Sequence, residues 1–73
     1  MANELRNKRV AVLVENGFEQ SEMVEPRKAL QEAGAQADIV SPQPDKVKGW
    51  KGGNWGDEFP VDRKLEEARP EEY

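Results

Sequence analysis

"VAVLVENGFEQSEMVEP" runs from Val10 to Pro26 of a 73-residue chain, and its first five residues decide the fold class. Val10 to Val14 are apolar at every position, without alternation. Strands of that kind are covered on both faces, as in parallel sheets. A helix pattern follows. Ser21 is suited to cap a helix start, and Gly34 to end the helix in a left-handed conformation. "AQADIV" then forms a second strand over Ala37 to Val40, closed by "SPQP". Parallel strands need a crossover of about this length, right-handed in nearly all cases. Residues 8–41 therefore read as a β-α-β unit.

Pro26 interrupts the helix pattern. It has no N–H and its ring clashes with the carbonyl four residues back, that of Glu22. Either the helix begins at Pro26 behind Glu25, or a first turn kinks at Pro26; the kink is preferred. Beyond residue 41, Gly and Pro are dense. "VKGWK" and "EFPVD" read as short strands joined by a "GGNWG" turn, a hairpin-like segment over residues 46–63. "RKLEEA" reads as a helical turn, and "RPEEY" as another with Pro70 at its first position.

Composition removes several classes of function. Charged residues make up 36% and the net charge is -4. Lys and Arg are scattered among acids, so no basic stripe forms and nucleic acid is not an expected partner. With no Cys and no His, disulfides are impossible, a zinc site is not expected, and no metal or cofactor is implied. Five apolar residues are too few for a membrane span or a secretory core. The expected location is the cytoplasm, with no membrane contact. One β-α-β unit and a hairpin cannot cover both faces of the Val10–Val14 strand. The chain is therefore expected to be the front part of one larger α/β domain.

Four glutamates follow the first strand: Glu15, Glu19, Glu22 and Glu25. On a helical wheel with Met23 at zero, Leu30, Pro26, Ala33 and Ala29 fall at about 340°, 300°, 280° and 240°. Glu22 falls at about 260°, inside that apolar face. Glu25, Lys28 and Glu32 fall opposite, as an exposed and salt-bridged surface. An acid turned toward the sheet without a cation is pushed toward its neutral form. At the carboxyl end of a parallel strand it is a candidate functional group. The alternative is that Glu22 caps backbone amides at the helix start, and spacing leaves both open. Glu19 is a loop acid or cap and a secondary candidate; Glu15 is a strand-end charge. Trp50 and Trp55 suit packing or interface anchors better than base stacking. Asp57, Glu58 and Asp62 lack calcium-loop spacing and read as solvated acids.

"KRVAVLVENGFEQSEMVEPRKALQEAGAQADIVSP", with "VKGWK" and "FPVDRKLEEARPEEY" after it, resembles the opening of the PfpI family. These are intracellular-protease-like and general stress proteins, in the superfamily of the Parkinsonism-associated deglycase and close to class I glutamine amidotransferases. The signature is an apolar strand, Gly-Phe-Glu, two residues, Glu, and Pro four residues later. The resemblance covers Lys8 to Tyr73. It implies a flavodoxin-like doubly wound parallel sheet, a three-layer sandwich that is incomplete in this chain. It also implies a reactive cysteine beyond this chain, hydrogen-bonded by a glutamate that matches Glu22. It further implies peptidase, glyoxalase or deglycase chemistry on a small carbonyl or peptide substrate. The complete protein would be a homo-oligomer, dimer or hexamer. A non-catalytic redox-sensing or chaperone-like role on the same fold is the alternative. The chain lacks the nucleophile, so it cannot perform the chemistry unaided.

Overall fold

The computed structural model describes residues 4–73. Strand β1 spans Arg9–Leu13, helix α1 Gln20–Glu32 and strand β2 Gln36–Ser41. Strands β3 (Lys46–Lys51), β4 (Asn54–Pro60) and β5 (Arg63–Lys64) follow, then 3-10 turns at Leu65–Glu67 and Pro70–Glu72. β1 and β2 pair in parallel from Arg9↔Gln36 to Leu13↔Val40. β5 pairs in parallel on the other side of β2, giving the order β1-β2-β5. The central place thus belongs to β2, which is buried from Ala37 to Ser41. β1 is an edge strand among the described residues, and its Leu13 is 64% exposed.

α1 runs continuously through Pro26, so the arrangement in which the helix begins at that proline does not occur. Ser21 does not cap it. Glu19 stands at the N-cap in an extended conformation, without a side-chain hydrogen bond. The other end closes on Gly34 at φ 98°. The Gly34 N–H donates to the Gln31 carbonyl and the Ala35 N–H to that of Leu30, each at 3.0 Å. This is the Schellman pattern, with glycine at the one position where a side chain would be strained.

The helix presents a different face from the one its apolar residues mark out. Gln20 and Met23 are buried, and Val24, Arg27 and Leu30 half-buried. Glu22, Pro26 and Ala29 are exposed. On the same wheel the covered face centres near 40° rather than 300°, about one residue's step round. Polar partners cause the rotation. Arg27 donates to the Ala37 carbonyl at 3.5 Å and lies 4.0 Å from Asp62, while Gln20 reaches into the hairpin. The inward Glu22 is therefore corrected: no described residue covers that side of the helix. Glu25, Lys28 and Glu32 are exposed, but no ion pair joins them among the described residues.

Met23, Ile39 and Val47 form the core, packed against Val12, Val14, Phe18, Val24, Phe59 and Val61. Phe18 and Phe59 meet with ring centroids 5.9 Å apart. β3 and β4 form an antiparallel hairpin whose turn is only Gly52-Gly53, at φ 57° and 92°. Two positive φ values suit the turn that matches strand twist, so Asn54, Trp55 and Gly56 join β4 instead of the expected five-residue turn. Asp57, Glu58 and Asp62 are not merely solvated. Glu58 pairs with Lys46 at 3.1 Å. The Asp62 N–H donates to the Ile39 carbonyl (2.8 Å), and its carboxylate accepts from the Ile39 N–H at 2.7 Å.

Strand alternation puts Arg9, Ala11, Leu13 and Asp38 on the face opposite the helix. Asp38, 8% exposed, is saturated there. It accepts from Arg9 Nη2 at 3.0 Å, Tyr73 Oη at 2.9 Å and Gln36 Nε2 at 3.1 Å. The Arg9 guanidinium lies 5.0 Å from the Tyr73 ring centroid. Arg63 holds Glu72 at 3.0 and 3.3 Å, which fixes the turn before Tyr73. Burial pushes the Asp38 carboxyl up, but the donors and the Arg9 charge outweigh it and hold the group below the usual range.

Candidate functional site

The connection from β1 to α1 brings Glu19 and Glu22 to the carboxyl end of the parallel strands. Gly17, at φ 88°, allows the sharp exit from the strand. The segment is then stitched to the hairpin by backbone bonds. The Gly17 N–H donates to the Lys48 carbonyl (2.9 Å), and the Trp50 N–H to the Phe18 carbonyl (2.7 Å). Glu19 forms a parallel bridge with Trp50. Asn16 Oδ1 accepts from the Lys48 N–H at 2.8 Å.

Glu22 stands in the first turn of α1, where the helix dipole favours an anion. It borders a hollow of about 190 Å³ with Val12, Leu13, Val14, Phe18, Glu19 and Met23. The walls are apolar except for the two acids. Glu22 makes no side-chain hydrogen bond or ion pair among the described residues, so it is not a cap for backbone amides. Glu19 also borders a second hollow, of about 200 Å³, beside Lys51. Glu15 stands apart, accepting from the Asn16 N–H and Gln43 Nε2 at 2.7 and 2.8 Å.

A larger hollow, about 510 Å³, lies between Asn16, the loop of residues 43–45 and the hairpin residues Lys46, Lys48, Trp55 and Glu58. It does not contain Glu19 or Glu22. Lys46 pairs there with Glu58, and Lys48 lies over the Trp55 ring at 5.6 Å, while the exposed Asp45 carboxylate has no partner among the described residues. In the hollow beside Glu22, a carboxyl group without a partner among the described residues meets the exposed apolar end of β1. Asn16, Gln20 and Asp57, which hold the hairpin against this turn, were not visible as site residues in the sequence. The available signal was the pair Gly49 and Gly56, since each stands where a side chain would meet Gln20.

A helix joining two parallel strands, with a third parallel strand beside them, defines the chain as an α/β protein with a parallel sheet. The sequence profile of the DJ-1/PfpI family matches residues 8–73, and the chain belongs to that family. Its sheet and helix are accordingly part of a flavodoxin-like fold. An uncharacterized protein of Staphylococcus haemolyticus (strain JCSC1435) is 33% identical over 66 residues, covering 90% of this chain. The match covers 37% of that relative, so the chain spans little more than a third of its length. The family is one of stress proteins and cysteine-hydrolase-type enzymes, commonly oligomeric. No helix among the described residues is long and apolar enough to cross a membrane.

Proposed function

We propose that this chain contributes the acidic half of a cysteine-dependent hydrolase site of peptidase, glyoxalase or deglycase type, with Glu22 as the residue that meets the sulfur. One observation carries the reading. Glu22 is a carboxyl group without a partner among the described residues, bordering an apolar hollow at the carboxyl end of β1. A thiol-bearing segment laid over the exposed Leu13 and the half-buried Val14 would close that hollow. Burial of this kind favours the protonated form of a carboxyl group. The acid could then donate to a thiolate and steady it. Glu19, bordering the same hollow, is the secondary acid. Small carbonyl compounds or peptides are the substrate class.

The test is a hybrid in which this chain replaces the matched segment of the staphylococcal relative. Thiol alkylation is followed against pH, alongside turnover of a small dicarbonyl. Glu22→Gln is expected to move the alkylation profile and to cut turnover by roughly tenfold or more. Identical profiles, or the lack of any reactive thiol within reach of residue 22, would overturn the proposal. Peroxide-driven thiol oxidation without turnover would instead support redox sensing.

A further inference from the structure

Gln20 is a buried polar side chain next to the candidate site, and the chemistry above does not use it. It is 9% exposed, although it opens the helix and stands two residues from Glu22. Its amide is matched at both ends. Nε2 donates to Asp57 Oδ2 at 2.9 Å, and Oε1 accepts from the Asp57 N–H at 2.8 Å. The slot that holds it is made by two glycines. A Cβ on Gly49 would lie 3.1 Å from Gln20 Cβ and Oε1, and a Cβ on Gly56 would overlap Oε1. Two strands leave out their side chains at the positions that this one amide fills.

We infer that Gln20 is a positioning residue for the site proposed above. By locking the β3–β4 hairpin onto the start of α1, it sets where Glu19 and Glu22 stand relative to the end of β1. The inference rests on the Glu22 reading for its catalytic consequence, but the lock is itself measurable. The segment from Gly17 to Glu19 is bonded to the hairpin on one side and continues into α1 on the other. Release of the amide removes the side-chain tie between the start of α1 and β4, and leaves the backbone bonds of Gly17 and Trp50 to hold the acid-bearing turn against the hairpin. Two reciprocal bonds also define a direction. Glutamate at position 20 would set two carboxylates face to face. Asparagine at position 57, in turn, could donate to a glutamate at 20.

The experiment is a swap in this chain, read by amide hydrogen exchange. Gln20→Glu is expected to speed exchange at the Gly17 and Trp50 amides about tenfold, with β1 and β2 amides unchanged. Asp57→Asn alone is expected to be tolerated, and Gln20→Glu with Asp57→Asn to restore protection. Gly56→Ala, which removes no hydrogen-bonding group but puts a Cβ into the space of Gln20 Oε1, is expected to loosen the same two amides. Should Gln20→Glu unfold the chain, Gly56→Ala and the double swap decide the matter. Unchanged exchange in Gly56→Ala, uniform acceleration across the sheet, or failure of the double swap to restore protection overturns the lock. In the hybrid protein, Gln20→Glu is expected to move the thiol pH profile in the direction of Glu22→Gln, and the double swap to reverse it. A profile moved by Glu22→Gln but not by Gln20→Glu overturns the positioning role alone. A profile moved by neither overturns the catalytic reading and, with it, this consequence.

Discussion

Asp38 and Glu22 are both carboxylates on the first β-α-β unit, and they lead opposite lives. Asp38 is buried and accepts from three side chains drawn from positions 9, 36 and 73. Glu22 is exposed and bonded to none among the described residues. A saturated acid is structural, since its lone pairs are occupied and any change leaves donors stranded. An acid without partners, beside an apolar hollow, keeps its hydrogen-bonding capacity for something else. The contrast separates an acid that helps hold the face of the sheet opposite α1 from one left without partners among the described residues at the start of the helix.

The comparison breaks first at Asp38. Asp38→Ala is expected to cost about 2 kcal/mol, since it takes the shared acceptor from half-buried Arg9 and Tyr73 and from exposed Gln36. Urea unfolding of the chain measures it. A loss below about 0.5 kcal/mol would erase the distinction between the two acids.

Acid titration sharpens it. The Asp38 value is held below that of an unfolded aspartate, near 3.9. The unfolded state then binds the proton first as pH falls, so the contribution is full above about pH 4 and is lost below it. Glu72 is lowered in the same direction, first by the Arg69 backbone N–H and then by Arg63. Asp38→Asn is expected to flatten part of this acid limb in urea midpoints measured from pH 5 to 2.

Tyr73→Phe removes one donor and keeps the ring over Arg9, so its expected cost is about 1 kcal/mol by the same unfolding assay. The smallest effect belongs to Glu22. Glu22→Ala is expected to change the chain's stability by no more than about 0.5 kcal/mol, as for surface positions without partners. A large loss would mean that Glu22 is structural after all.

The parallel unit was legible because its signals are local. The unbroken apolar run Val10–Val14 and the Ala-Gly ending of the helix each act within a few residues. The rotation of α1 was not legible, because the groups that cause it are remote. Gln20 finds Asp57 across 37 residues, and Arg27 comes within 4.0 Å of the distant Asp62. A wheel that weighs only apolar residues cannot foresee a buried glutamine or a half-buried arginine. The same wheel placed Glu22 inward because Pro26 and Ala29 shared its side. Both are exposed here, so the wheel marks a surface that the described residues leave uncovered. The candidate site came from the Gly-Phe-Glu-x-x-Glu resemblance more than from periodicity. The length of the hairpin turn was missed because two glycines suffice to reverse the chain.

The clasp of Arg9, Asp38 and Tyr73 also has a consequence for biosynthesis. A ribosome working at roughly 5–20 residues per second releases the β-α-β unit seconds before Tyr73 emerges. During that interval the reverse side of the nascent sheet has no lid, and Asp38 is wet. Whatever escorts the polypeptide through those seconds meets an apolar strand with one bare edge.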